Sequence, residues 1–132
     1  MEQFKYLSPE WAQEATRRLQ RDLTPEKMKH LTSSMMNIYA NCPDGLDRAV
    51  FYRIVDGVVE ELSLQEGDLP RAEFTIKGDY ETFARISRAE LNARAALMSG
   101  KLTLRGNLVK ALRLAPVVDR LNEVLATIPT DY

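Results

Sequence analysis

The stretch Ser99-Gly100-Lys101-Leu102-Thr103-Leu104-Arg105-Gly106-Asn107-Leu108 constrains the fold more than any other part of the chain. It places a helix stop, a short strand and a helix start within ten residues. Gly100 can adopt the left-handed conformation that ends a helix without steric cost. From Lys101 to Arg105 the residues alternate, with Leu102 and Leu104 on one face and Lys101, Thr103 and Arg105 on the other. Gly106 breaks the strand, and Asn107 is a good N-cap for a helix carrying Leu108 and Leu112. The sequence before this stretch reads as a sheet with helices. The sequence after it reads as an apolar helical lid.

The remaining elements follow from local signals. Ser8-Pro9-Glu10 opens a helix, with Ser as N-cap, Pro in the first turn and an early acid. Trp11, Ala15 and Leu19 form its apolar stripe. Thr24-Pro25-Glu26 repeats the signature and predicts a short second helix. Residues 31–42 read as a long strand, with Met35 and Tyr39 on one face and Met36 and Ile38 on the other. Apolar residues on both faces predict a central strand covered on both sides. Pro43-Asp44-Gly45 is a turn. Residues 48–56 form a second strand, with Ala49, Phe51 and Val55 opposite Val50, Tyr52 and Ile54. Asp56-Gly57 is a strong hairpin signal leading into a third strand over 58–65. Glu60 and Glu61 suit a solvated edge.

A fourth strand over 71–77 alternates Ala72, Phe74 and Ile76 inward against Glu73, Thr75 and Lys77. Gly78 is expected to break it and Asp79 to cap a helix carrying Tyr80, Phe83 and Ile86. A further helical segment runs through Leu91, Ala95, Leu97 and Met98 to Gly100. After the fifth strand come a short helix over 108–114 and a helix restarted at Ala115-Pro116, with Val117, Val118, Leu121, Val124, Leu125 and Ile128 on its apolar face. The expected architecture is α+β: a five-stranded, mainly antiparallel sheet covered by helices. A single domain is expected over 1–132, with N-terminal helices in 1–28, the sheet and its inserted helices in 29–105 and C-terminal helices in 107–128.

At 132 residues such a domain needs no disulfide or metal staple. One Cys and one His exclude a zinc pattern, and the lone Cys42 cannot form an internal disulfide. With 18 basic and 19 acidic residues, net charge gives no case for nucleic acid. No apolar run approaches a membrane span, and Met1 to Tyr6 lacks a signal-peptide core, so a cytoplasmic location is expected. No cofactor is expected. His30 has no acid or nucleophile beside it in a recognisable triad, and Cys42 has no evident positive setting. Arg85, Arg88, Arg94, Arg105 and Arg113 are the best polar candidates for meeting a carboxylate or phosphate.

The run Met98 to Asn107 resembles the signature of the sterol carrier protein 2 (SCP2) domain family. Ala72-Glu73-Phe74-Thr75-Ile76-Lys77-Gly78-Asp79-Tyr80-Glu81-Thr82-Phe83 resembles the strand and following helix of the same family, and the Asp56-Gly57 hairpin falls where that family turns. The resemblance covers roughly residues 31–125. It implies a non-enzymatic lipid-binding or carrier protein with an apolar tunnel between sheet and C-terminal helices. The implied ligand is a fatty acid, acyl-CoA, sterol-like or isoprenoid lipid. The same fold also fits an accessory subunit that presents a lipid or quinone intermediate to partner enzymes. The expected lining is Met35, Tyr39, Phe74, Ile76, Phe83, Leu97, Met98, Leu102, Leu104, Leu108, Leu112, Leu121 and Leu125. Beyond the lipid, at most transient membrane contact is expected, as a monomer or homodimer.

Overall fold

A computed structural model describes residues 3–132. Met1 and Glu2, part of the segment read as lacking a signal-peptide core, lie outside the described residues. The main sheet has five strands: β2 (Ser33–Ala40), β3 (Arg48–Val55), β4 (Val58–Gln65), β5 (Phe74–Asp79) and β6 (Leu102–Arg105). Their spatial order is β4-β3-β2-β5-β6. Within this sheet β2 and β5 pair in parallel, and the other three pairings are antiparallel. β1 (Phe4–Lys5) and β7 (Thr130–Asp131) form a separate parallel pair that ties the two ends of the chain together.

The α+β class and the mainly antiparallel sheet match the expectation from sequence. β2 is central, β4 is an edge, and the β3–β4 hairpin turns at Asp56 and Gly57, both at positive φ as a two-residue primed turn requires. On the edge, Arg53 pairs across to Glu60 and Glu61 at 3.2 and 3.8 Å.

Among the described residues five helices accompany the sheet: α1 (Pro9–Asp22), α2 (Tyr80–Ser87), α3 (Ala93–Met98), α4 (Leu108–Arg113) and α5 (Ala115–Leu125). The caps act as read. The Trp11 amide donates to Ser8 Oγ at 3.1 Å, and the Lys110 amide donates to Asn107 Oδ1 at 3.0 Å. Gly100, at φ +81°, closes α3. Trp11, Ala12, Ala15 and Leu19 of α1 are buried against the sheet, and Leu121, Val124 and Leu125 of α5 join the same core.

Several local expectations need correction. No helix forms over 24–28. The Thr24 carbonyl accepts from the Met28 amide for one turn, but Lys29 and His30 then take positive φ, which a right-handed helix cannot continue. Gly78 does not break β5; it stays in the ladder, paired with Tyr39 and Leu102. Asp79 is the α2 N-cap by position, yet its Oδ1 accepts from Asn41 Nδ2 at 2.9 Å instead of capping the helix. Leu91 precedes α3, which Asn92 caps through the Ala95 amide at 3.1 Å.

The expected two-sided cover of β2 is also corrected. Met35 and Tyr39 face the helices, whereas Met36 joins Ala49 and Phe51 in a small cluster on the other face. No helix residue belongs to that cluster among the described residues; Ile38 and Ala72 pack on it. Ala72 therefore lies on the face opposite to that expected, because the alternation of β5 begins only at Phe74.

Candidate functional site

Between the sheet and α3–α5 lies a cavity of about 80 Å³. Its floor is built from Met35, Ile54, Phe74, Ile76, Leu102 and Leu104, which alternation directs toward the helices. Its roof is Ala93 and Leu97 of α3, Ala111 and Leu112 of α4, and Val117, Val118 and Leu121 of α5, with Leu114 and Ala115 at the junction. Met28 and Leu31 close one side. Among the described residues, Ser33, Arg94 and Asp119 are the only polar side chains in the lining.

Eight of the thirteen residues expected to line a tunnel meet at this cavity: Met35, Phe74, Ile76, Leu97, Leu102, Leu104, Leu112 and Leu121. The other five do not. Tyr39 shares the face of Met35 but lies four residues along β2, about 13 Å at roughly 3.3 Å per residue. There it packs on Phe83, with ring centroids 4.2 Å apart. Leu125 is buried in the core away from the cavity, and Met98 and Leu108 are exposed. The sequence reading passed over Met28, Ile54, Ala93, Ala111 and Val117 as lining. Val117 and Ile54 carried a usable signal in their face assignment. Ala93 and Ala111 carried none, since a small side chain leaves space without marking it.

Beside the cavity the core becomes aromatic. Tyr6 packs edge-on against Trp11 at 5.0 Å and Tyr39 at 6.1 Å, and against Tyr132 at 4.8 Å. Burial raises the hydroxyl pKa values of Tyr6, Tyr39 and Tyr52, so all three stay neutral at ordinary pH. Trp11 Nε1 and Asn37 Oδ1 are buried without a hydrogen-bond partner.

One ion pair joins the roof to the sheet. Lys110 of α4 bonds Glu73, which also accepts from Ser33 Oγ at 2.5 Å. The Lys110 bond, with that from Ser33, holds the Glu73 carboxyl below its ordinary pKa. Among the arginines singled out, only Arg94 reaches the cavity. Arg88 instead pairs with Glu90 at 2.9 Å and Glu81 at 3.2 Å and lies over the Tyr132 ring.

His30 sits on the surface with Nδ1 2.9 Å from Asp56 Oδ1. Cys42 is buried, and burial pushes its thiol pKa up, away from the reactive thiolate. Among the described residues no group of three His, Cys, Asp or Glu side chains is placed to hold a metal ion. No described helix is long and apolar enough to cross a membrane.

No curated protein matches the chain. Solved structures do. A crystal structure of sterol carrier protein 2 superposes with a TM-score of 0.81 at 22% identity, covering 94% of this chain and 99% of that one. The solution structure of a conserved hypothetical protein from Thermus thermophilus, described as possibly a sterol carrier protein, gives the same TM-score and identity over 99% and 94%. Palmitated SCP2L2 from Aedes aegypti matches at 0.62 and 18% identity, over 85% and 95%. At these identities the likeness establishes the fold. The family model described as the SCP-2 sterol transfer family matches residues 14–119, from within α1 into α5, and on that match the chain belongs to this family.

Proposed function

We propose that this protein is a non-enzymatic carrier that holds a long-chain apolar lipid between the sheet and α3–α5. The observation that carries the reading is the composition of the cavity wall. Seventeen of its twenty residues are apolar, and they come from the sheet and from all three C-terminal helices. Burying an alkyl chain there is favourable by about 0.8 kcal/mol per CH₂, so a sixteen-carbon tail gains roughly 10 kcal/mol before ordering costs. The family match and the palmitated structural relative support the same ligand class.

At about 80 Å³ the cavity is well below the roughly 300–1,000 Å³ typical of ligand pockets. Loading therefore requires the roof to move. α4 is the element suited to moving, because none of its residues is fully buried. Van der Waals contact with a variable tail needs no fixed polar partner, which fits a wall with only three polar side chains.

The test is native mass spectrometry of the purified protein, followed by titration with a fluorescent fatty acid after delipidation. Co-purified lipid and saturable one-to-one uptake are expected. Failure to take up fatty acid, acyl-CoA or isoprenoid probes overturns the reading.

A further inference from the structure

Asn37 is a polar side chain set into the inner, apolar face of the sheet. Alternation along β2 puts Met36 and Ile38 on the outer face, so Asn37 lies on the helix-facing side between Met35 and Tyr39. Its register partners are Val50 on β3 and Ile76 on β5, and Ile76 in turn pairs with Leu104 on β6. Asn37, Ile76 and Leu104 therefore form one row across three strands. All three are half-buried, whereas Val50, at the far end of the row, is fully buried. Ile76 and Leu104 line the cavity, as does Met35, two residues from Asn37 along β2. Asn37 adjoins the cavity wall without being part of it.

The Asn37 amide is satisfied on one side only. Burial raises the Tyr39 hydroxyl pKa, and Asn37, a hydrogen-bond neighbour of that phenol oxygen, opposes the shift, as an amide N–H does. The other side of the amide has no such neighbour: Oδ1 is buried and accepts from no donor. A buried acceptor left unpaired destabilises a fold, and an apolar residue in its place avoids that cost. Ligand pockets that are otherwise apolar use a few placed polar groups to fix which way a ligand lies.

We infer that Asn37 is a specificity-determining residue, whose Oδ1 accepts a hydrogen bond from the polar end of the ligand, so that the carrier selects long-chain lipids ending in a neutral O–H donor over ionised fatty acids. An alcohol donates to Oδ1 and buries no charge. An ionised carboxylate has no proton to give and brings a charge into an apolar layer. An ether of the same length carries the oxygen without the proton. The inference rests on the lipid-carrier reading and deepens it by naming the ligand's polar end.

The experiment is displacement of a fluorescent fatty acid from the delipidated full chain by three matched sixteen-carbon competitors: hexadecanol, its methyl ether and ionised palmitate. Hexadecanol is expected to displace the probe at about one tenth of the concentration the ether needs, the yield of one buried hydrogen bond. Palmitate at neutral pH is expected to be weaker than the alcohol. Asn37→Val abolishes the preference for the alcohol over the ether and leaves ether affinity unchanged. Its urea midpoint equals or exceeds that of the parent chain, because the orphan acceptor is gone. Equal displacement by alcohol and ether, palmitate binding more tightly than the alcohol, or a Val variant that keeps the alcohol preference overturns the inference. The carrier reading survives all three of those results. No uptake of any probe overturns the carrier reading itself, and this inference with it.

Discussion

Gly78 and Leu102 face each other across the β5–β6 ladder so closely that a Cβ on Gly78 would stand 2.5 Å from Leu102 Cδ2. The same Cβ would stand 3.1 Å from the Lys101 carbonyl oxygen and 3.4 Å from Phe83 Cε2. Gly78→Val therefore costs about 1–3 kcal/mol in urea unfolding, the usual range for overpacking. Because Leu102 also lines the cavity, the displaced leucine takes part of the ligand's space. Fatty-acid affinity in the variant falls alongside stability. Unchanged values for both would show that Leu102 has room to turn aside.

Trp11 tests the cost of its orphan N–H. The ring is fully buried and Nε1 has no partner. Trp11→Ala leaves a large void and costs about 3–5 kcal/mol. Trp11→Phe keeps most of the apolar volume and removes the unpaired donor, so its cost stays below about 1.5 kcal/mol. Thermal or chemical denaturation separates the two. A Phe variant as unstable as the Ala variant would mean that the indole N–H is satisfied in solution.

The Glu73–Lys110 pair fastens α4 to the sheet. The folded-state pKa of Glu73 is depressed, so its stabilisation is present above the unfolded value of about 4.3 and is lost as pH falls through the lower folded value. The pair is substantially solvated, which limits its contribution to about 1 kcal/mol or less. Glu73→Gln is expected to flatten the stability profile below about pH 4.5 and to speed hydrogen exchange in α4 at neutral pH. Equal α4 exchange in the two proteins would separate the ion pair from the movement of the roof.

Ala111 marks the place where the roof leaves space. Ala111→Phe, projecting from α4 into the cavity, should lower fatty-acid affinity at least tenfold, equivalent to about 1.4 kcal/mol. The change in unfolding free energy should be smaller than for Gly78→Val, because α4 is only partly buried and can tilt outward. Titration of the delipidated variant with a fluorescent fatty acid decides the matter; affinity equal to that of the parent chain would place the ligand elsewhere.

Local order was legible where one dominant signal acted. The Ser8 and Asn107 caps, the Asp56-Gly57 turn and the opposite facing of Met35 and Met36 each depend on a few neighbouring residues, and each appears in the folded chain. Reading failed where the deciding partner was distant in sequence. Gly78 looks like a breaker until Leu102 is placed against it. Asp79 looks like a capping side chain until Asn41 takes its oxygen. The β1–β7 pair joins Phe4 to Thr130 across nearly the whole chain, and two-residue strands leave no periodicity to detect.

The amino-acid sequence determined the kinds of element, the faces they bury and, through the spacing from Gly100 to Asn107, the strand between two helical regions. These are properties of residues within a few positions of one another, where backbone preference and alternation suffice. Tertiary structure alone decided which apolar side chains border empty space. Met35 lines the cavity while Tyr39, on the same face of the same strand, fills the core against Phe83. Both are hydrophobic and both are buried; a cavity is the absence of a neighbour, and only the packing of distant elements can leave one.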